Sequence, residues 1–161
     1  MEEAIFAAGC FWGVQYYFDQ IPGVTGTTVG YSGGTTEDPT YEEVCSHGTG
    51  HAEAVMVEFD TSILSFEDLT RHFFRLHDPT QLNRQGPDVG DQYRSAIFYV
   101  SESQKETAER VRDELQPQFD DPIVTVIEPV GPFYRAEEYH QKFAEKTGRG
   151  ICHVAYEPLA K

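Results

Sequence analysis

The chain has little positive charge for its size. Its 161 residues include 12 lysines and arginines against 27 aspartates and glutamates, which gives a formal net charge of -15. Such a surface repels the phosphate backbone of nucleic acids and the anionic headgroups of membranes. We therefore expect neither nucleic acid nor membrane as a partner, and we interpret the acidity as a well-solvated surface or as the mark of a salt-adapted source.

Cysteine is scarce as well. Cys10, Cys45 and Cys152 lie far apart in the sequence, and no CxxC pair occurs. This pattern argues against a disulfide scaffold and against a zinc ribbon. The sequence also has no apolar run of membrane-spanning length, and it has Glu2 and Glu3 where a signal peptide would be basic. We expect a protein of the reducing cytoplasm.

The hydrophobic pattern predicts a single domain over residues 1–161, since no repeat, low-complexity tract or linker interrupts it. Up to Val100 it predicts strand, helix, strand, strand, helix and strand, at 3–8, 11–19, 24–31, 52–59, 66–77 and 94–100. This order is typical of an α+β two-layer sandwich with a ferredoxin-like split βαβ core. We expect a long loop and additional C-terminal elements: loop 80–92, a helix to about Leu115, strand 123–127 and helix 136–146.

Cys10 lies where the first predicted strand gives way to the first predicted helix, in Gly9-Cys10-Phe11-Trp12-Gly13. A cysteine in the first turn of a helix faces unpaired backbone N–H groups, which favour the thiolate and hence a nucleophile. Phe11 and Trp12 offer an aromatic wall for a small apolar group such as an S-methyl. The alternative is a buried cysteine in an aromatic core.

Five segments together resemble the A-type peptide methionine sulfoxide reductases. They are GCFWG at 9–13, GYSGG at 30–34, CSHGTGHAEAV at 45–55, LNRQGPDVGDQYRSAIF at 82–98 and FYRAEEYHQ at 133–141. Several motifs in the same order across nearly the whole chain are more specific than the first pentapeptide alone. The resemblance implies an enzyme that reduces methionine S-sulfoxide, free or in proteins, to methionine, and so repairs oxidised proteins under oxidative stress.

The resemblance makes Cys10 the attacking nucleophile and assigns Phe11 and Trp12 to a pocket for the methyl group of the substrate. A sulfoxide sulfur is electrophilic only when its oxygen is protonated or strongly hydrogen-bonded, so the attack needs a nearby acid. Glu53 matches that acid. It begins an otherwise apolar row of a predicted strand, where burial would raise its pKa and keep it protonated. The alternative is a solvated glutamate at a strand end.

Three more residues belong to the expected substrate site. Tyr41 and Tyr93 match two tyrosines that hydrogen-bond the sulfoxide oxygen in the family, and Asp88 matches a carboxylate that orients a water. Phenols donate hydrogen bonds without ionising. A single tyrosine is more often packed at the rim of a core, and the Asp-x-Gly setting of Asp88 is also that of an ordinary turn. Only the resemblance therefore assigns these three residues to the site.

The cycle implied by the resemblance ends with a second thiol, because the oxidised Cys10 is a sulfenic acid that must be reduced. Cys152 is the expected resolving cysteine, in a mobile tail over residues 147–161. A Cys10 to Cys152 disulfide then forms, and thioredoxin, or dithiothreitol in vitro, reduces it. The tail departs from the family pattern, with Thr147-Gly148 for the usual Asn-Pro and Ile151 for an aromatic residue.

The remaining candidates are a third cysteine and the histidines. Cys45 is interpreted as a small buried residue and is the second choice of resolver. His47 and His51 lie near it, but no fourth ligand is indicated, and we expect neither a metal nor any bound cofactor. His140 is expected to brace the pocket from a helix. His153 either assists the neighbouring thiol or simply covers the tail.

Two functions of other classes compete with this hypothesis. A cysteine hydrolase or acyltransferase would use Cys10 with a histidine base and would need no second cysteine. A thiol redox sensor would form a disulfide but release no methionine from a sulfoxide. We expect instead a monomeric enzyme whose partners are thioredoxin and methionine sulfoxide, free or in oxidised proteins.

Overall fold

The fold is built around one β-sheet, and the computed structural model describes residues 2–46, 48–86 and 88–147. The strands are β1 (Glu2–Ala8), β2 (Val24–Ser32), β3 (Ala52–Phe59), β4 (Arg84–Gln85), β5 (Asp88–Val89), β6 (Ser95–Tyr99), β7 (Val126–Pro129) and β8 (Tyr134–Arg135). The α-helices are α1 (Phe11–Asp19), α2 (Tyr41–Cys45), α3 (Phe66–Leu76), α4 (Glu102–Leu115) and α5 (Phe143–Thr147). Short 3-10 helices cover Asp91–Tyr93, Gln116–Gln118 and Glu138–His140.

Six strands form the sheet in the order β7-β6-β1-β3-β2-β8. Neighbouring strands are antiparallel except β6 and β7, which are parallel, so the sheet is mixed. Strands β4 and β5 pair with each other in a short hairpin. The protein is therefore an α+β fold with a central mixed sheet.

Strand β1 lies at the centre of the sheet and is covered on both faces. Alternate residues of a strand point to opposite faces. Ala4, Phe6 and Ala8 belong to the larger apolar core, while Ile5 and Ala7 belong to a smaller cluster. The larger core contains buried side chains of α1, α3 and α4, so these helices cover one face of the sheet.

The larger core is rich in aromatic rings. Phe6 of β1 stacks against Phe18 of α1 and Phe73 of α3, with ring centroids 5.2 Å apart in both pairs. All three rings are buried, and burial of one such side chain stabilises the fold by about 1.5–3 kcal/mol. These contacts fix α1 and its first residue relative to the end of β1.

The chain leaves α1 through a turn that requires glycine. Gly23 has a φ of +101°, a backbone conformation that other residues rarely adopt. A Cβ atom there would lie 2.7 Å from the Cβ of Leu64, closer than packed atoms allow. The turn therefore packs closely against the loop that follows β3, and β2 begins directly after it.

The predicted helix over 136–146 is wrong. The structure has a 3-10 helix at Glu138–His140 and α5 at Phe143–Thr147, and Lys142 between them has a φ of +58°. Contacts from distant elements impose the break: the Lys142 amide donates to Gln15 Oε1 at 2.7 Å, and its Nζ lies 2.7 Å from Asp19 Oδ1.

Other boundaries differ less. The strand expected at 123–127 is β7, at Val126–Pro129, and the loop expected at 80–92 contains the β4–β5 hairpin and a 3-10 helix. Of the expected tail over 147–161, everything after Thr147 lies outside the described residues. Within the described ranges, no helix combines the length and the apolar composition needed to cross a bilayer.

His72 on α3 is a titratable group inside the large core. It is 3% exposed, and its Nδ1 lies 2.8 Å from the hydroxyl of Tyr17 on α1. Burial, helped by the charge of Arg75, lowers the pKa of His72 from 6.5 to about 4. The folded protein therefore holds this imidazole neutral at a pH where the unfolded chain takes up a proton.

We expect His72 to make the fold less stable as the pH falls from 6.5 towards 4, because the unfolded state then binds the extra proton. The loss between pH 7.5 and pH 5 is about 2 kcal/mol of unfolding free energy. Urea unfolding at the two pH values measures it. His72→Gln should remove this part of the pH dependence, and an unchanged slope would contradict the assignment.

Candidate active site

Cys10 stands at the junction of the central strand and the first helix, as predicted. It is the N-cap residue of α1 and follows Gly9, whose φ is +95°. Its carbonyl oxygen accepts a hydrogen bond from the Val14 amide at 3.4 Å, which begins the helical pattern. The side chain is a partly exposed thiol. The sulfur therefore lies at the positive end of a helix, at the surface.

Glu53 lies beside this junction. It is 1% exposed, at the start of β3, and its Oε1 accepts a hydrogen bond from the Phe11 amide at 3.3 Å. Phe11 follows Cys10 directly in the chain. The other carboxyl oxygen, Oε2, is buried and has no hydrogen-bond partner in the described part of the chain. The carboxyl group is thus held at one oxygen and leaves the second for another molecule.

Burial raises the pKa of Glu53 to about 8. The Phe11 amide and the Gln92 side chain favour the carboxylate and limit this rise, whereas the charge of Asp88 adds to it. Glu53 is therefore mostly protonated at neutral pH, and the alternative of a solvated strand-end glutamate is wrong. A protonated carboxyl group near a thiol can act as a general acid: when the thiol attacks an atom that is bonded to oxygen, the carboxyl group can protonate that oxygen.

Tyr41, Tyr93 and Asp88 come from three separate elements and meet near Glu53. Tyr41 is the first residue of α2, Tyr93 ends the 3-10 helix at Asp91–Tyr93, and Asp88 begins β5. Burial raises the pKa of both phenols, and the charge of Glu53 raises each further. Both hydroxyls thus stay protonated and can donate hydrogen bonds. The charge of Asp88 also raises the pKa of Tyr93, as it does that of Glu53, so Asp88 interacts electrostatically with both residues.

Phe11 and Trp12 form an aromatic wall next to Cys10. The ring of Phe11 is fully buried, with its centroid 6.3 Å from that of Tyr41. Trp12 is half-buried and stacks on Phe143 of α5, at 4.0 Å between centroids. An apolar surface therefore follows the thiol directly in the chain, and the Tyr41 ring lies against it, 6.3 Å from both Phe11 and Trp12 between centroids.

His140 braces Trp12, as predicted, although from a 3-10 helix. The indole Nε1 of Trp12 donates to His140 Nδ1 at 2.9 Å. An indole nitrogen only donates, so Nδ1 of His140 must be the unprotonated nitrogen and the ring proton is on Nε2. The imidazole is 0% exposed, and burial lowers its pKa. His140 is thus a neutral hydrogen-bond acceptor that fixes the tryptophan ring.

Two supporting residues were missed in the sequence. Gln92 is 2% exposed, influences the pKa of Glu53, and donates through Nε2 to the Sγ of Cys45 at 3.3 Å. Phe143 stacks on the pocket tryptophan. The one feature of the sequence that could have indicated Gln92 is its position directly before Tyr93. Cys45 is partly exposed at the end of α2 instead of buried in the core.

The remaining sequence candidates are His51 and three residues that the structure does not describe. His51 uses both ring nitrogens in contacts to backbone: Gly34 N–H donates to Nδ1 at 3.0 Å, and Nε2 lies 2.6 Å from the carbonyl oxygen of Thr36. His47, Cys152 and His153 lie outside the described residues. Among the residues described, no group of three or more histidine, cysteine, aspartate or glutamate side chains is placed to hold a metal ion.

The site defines a thiol-based oxidoreductase rather than a hydrolase, since the buried histidine beside it is engaged by an indole and the acid is protonated. Comparison with known proteins agrees. The model of the peptide methionine sulfoxide reductase family matches residues 2–161. Peptide methionine sulfoxide reductase MsrA of Methanothermobacter thermautotrophicus is 54% identical over 155 residues, which are 95% of this chain and 92% of that protein.

Solved structures give the same result. Mxr1 of Saccharomyces cerevisiae in its reduced form superposes with a TM-score of 0.91 at 35% identity, covering 97% of this chain and 92% of that one. Mxr1 in complex with Trx2 superposes with a TM-score of 0.66 at 29% identity, covering 97% and 90%. The chain belongs to the peptide methionine sulfoxide reductase family. It is an oxidoreductase that acts on methionine sulfoxide, which excludes the hydrolase and the non-enzymatic sensor.

We expect Glu53 to titrate near pH 8, well above the range of an exposed glutamate, because its burial disfavours the charged form. Infrared difference spectroscopy measures this as loss of the C=O band of a protonated carboxyl group when the pH rises through that value. Glu53→Gln should abolish the signal. Glu58→Gln, on the same strand but exposed, should leave it intact. A band that persists in Glu53→Gln assigns the proton elsewhere.

Proposed function

We propose that this enzyme reduces methionine S-sulfoxide through direct attack of the Cys10 thiolate on the sulfoxide sulfur. The observation that carries the proposal is the hydrogen bond from the Phe11 amide to Glu53, which holds a protonated carboxyl group one residue from the thiol. In the net step the substrate oxygen passes to the Cys10 sulfur. The substrate gains two electrons and leaves as methionine, and Cys10 becomes a sulfenic acid.

Glu53 supplies the proton that this step needs. Protonation of the sulfoxide oxygen makes the sulfur electrophilic, and the same proton ends on the oxygen carried by Cys10. Tyr41 and Tyr93 donate hydrogen bonds to the oxygen, where negative charge would otherwise develop. Their raised pKa values support this role, because both hydroxyls keep their protons. Asp88 orients a water in the same pocket and helps keep Glu53 protonated.

Phe11 and Trp12 receive the methyl group of the substrate. The partly exposed thiol lies directly before these two rings in the chain, and the tryptophan ring is fixed by His140 and Phe143. An S-methyl group that packs there points the sulfur towards Cys10 and the oxygen towards the phenols. Preference for the S epimer, and action on both free and protein-bound methionine sulfoxide, follow from family membership.

Recycling proceeds through Cys152. Its thiol attacks the Cys10 sulfenic acid, water leaves, and a Cys10 to Cys152 disulfide forms. An external dithiol of the thioredoxin type then reduces this disulfide by exchange, as dithiothreitol does in vitro, and no bound cofactor takes part. The structure of the relative Mxr1 in complex with Trx2 supports such a partner. We expect residues 147–161 to form the mobile tail that brings Cys152 to Cys10.

We infer further that the core is a ferredoxin-like split βαβ unit. The order β6-β1-β3-β2, with antiparallel neighbours throughout, supports this. Residues 1–161 then make one catalytic domain that acts as a monomer in a reducing cytoplasm, where thioredoxin-type reductants keep its cysteines available. Its role there is the repair of oxidised proteins.

Reaction with sulfoxide should link Cys10 to Cys152. We expect reduced protein mixed with the S epimer of N-acetylmethionine sulfoxide to release one equivalent of N-acetylmethionine and to lose the mass of two hydrogens, and the R epimer to do neither. Cys152→Ser should stop at a sulfenic acid that dimedone traps, with thioredoxin as the sole reductant. Cys45→Ser is the matched control and should turn over. A disulfide to Cys45, or no released product, would contradict the cycle.

The rate of the first step should fall as the pH rises above about 8, because Glu53 then loses the proton that it donates. Single-turnover release of N-acetylmethionine should decline about tenfold per pH unit there. Glu53→Gln should be at least about a hundredfold slower and should lack this decline. Glu58→Gln should behave like the unmodified enzyme. If the rate of Glu53→Gln still falls above about pH 8, the group that loses the proton is not Glu53.

A further inference from the structure

Glu137 joins two walls of the site through one carboxylate. It directly precedes the 3-10 helix at Glu138–His140. Its Oε1 accepts a hydrogen bond from the hydroxyl of Tyr31 at 2.9 Å, and its Oε2 accepts one from the backbone amide of Tyr41 at 3.1 Å. The two donors lie on different elements, β2 and α2, so the carboxylate sets the distance between them.

The Tyr31 side of this bridge is anchored in the sheet. Tyr31 is 0% exposed and lies directly opposite Glu53 in the β2–β3 ladder. Its ring centroid is 5.7 Å from that of Phe11. One oxygen of Glu137 is therefore held by a residue whose position is fixed relative to both the acid and the methyl pocket.

The Tyr41 side of this bridge is a short helix. Helix α2 has only five residues, and a helix of this length has little stability of its own in water. A capping box between Thr40 and Glu43 closes its first turn locally, but both residues belong to the same exposed segment. The bond from the Tyr41 amide to Glu137 is a link from α2 to the rest of the site, at the residue that carries the phenol.

Glu137 is suited to this link because it is ionised. Burial opposes its ionisation, but hydrogen bonds from the Tyr41 amide, from its own backbone amide and from the Tyr31 hydroxyl, together with the nearby His140, outweigh that effect and hold its pKa below the ordinary range. Hydrogen bonds to a charged acceptor are stronger than those between neutral groups.

We propose that Glu137 is a positioning residue for sulfoxide reduction, which places the Tyr41 phenol against the substrate oxygen by tying α2 to Tyr31. The proposal rests on the function proposed above, in which Tyr41 donates to that oxygen. Glu137 itself does not touch the reacting atoms. Its effect depends on the length of its side chain, because the carboxylate must accept hydrogen bonds from the Tyr31 hydroxyl and the Tyr41 amide at the same time.

The test compares three replacements of Glu137 by single-turnover release of N-acetylmethionine from the S-sulfoxide. Glu137→Ala removes both contacts, and Glu137→Asp keeps the charge but is one methylene too short to meet both donors. Both should lower the saturating rate about tenfold, with a smaller change in the half-saturating concentration. Glu137→Gln keeps the reach: its oxygen can accept from the Tyr41 amide and its amide group can donate to the Tyr31 hydroxyl. It should lose no more than about threefold.

A double-mutant cycle separates positioning from a general effect on the fold. Tyr41→Phe keeps the backbone amide but removes the phenolic proton, so a further change at Glu137 should then cost less than about twofold. Glu138→Ala is the matched control, because the neighbouring glutamate is exposed and pairs only with Arg135 among the described residues. Its rate should equal that of the unmodified enzyme. Glu137→Asp provides the comparison if Glu137→Ala does not fold.

Three outcomes would overturn the proposal. The first is that changing Glu137 lowers the rate by the same factor whether or not Tyr41→Phe is also present. The others are that Glu137→Asp is as fast as the unmodified enzyme, or that Glu137→Gln is as slow as Glu137→Ala. Each of these is measured in an enzyme that releases N-acetylmethionine. Failure of the unmodified protein to release it from either epimer would instead overturn the function on which the inference rests.

Discussion

The placement of a carboxyl group beneath the first amide of α1 is the constraint on which the rest of the site depends. Strand alternation directs Glu53 to the same face as Val55 and Val57, so it enters the apolar core. One of its oxygens accepts a hydrogen bond there from the Phe11 amide. Burial in that core keeps Glu53 protonated, and the hydrogen bond holds it close to the thiol, because the amide belongs to the residue after Cys10.

The parts of the molecule that could be predicted from sequence are those set by local pattern. Strand β3 and helix α1 have clear periods of apolar residues, and the junction at Cys10 follows from them. The break at Lys142 could not be predicted, because Gln15 and Asp19 impose it from more than a hundred positions away in the sequence. Likewise, Tyr41 and Tyr93 come together only through tertiary structure, so family resemblance was needed to assign them.

Supporting residues were harder to predict than reacting ones. A thiol, an acid and a phenol suggest chemistry by their type, whereas Gln92 and Phe143 act only through what they hold in place. The stretch from Glu137 to Phe143 illustrates the difference. It contacts Tyr41 through a carboxylate and Trp12 through an imidazole and a stacked ring. A single short segment thereby determines the shape of both the polar and the apolar side of the pocket.

The position of Trp12 has a practical consequence. The chain contains one tryptophan, and its indole lies in the wall of the pocket with a hydrogen bond to His140 and a stacked ring on Phe143. The tryptophan fluorescence of the protein therefore comes from the site itself. Each event that changes the surroundings of the pocket, from arrival of a sulfoxide to oxidation of Cys10, alters an optical signal that the protein carries without any added label.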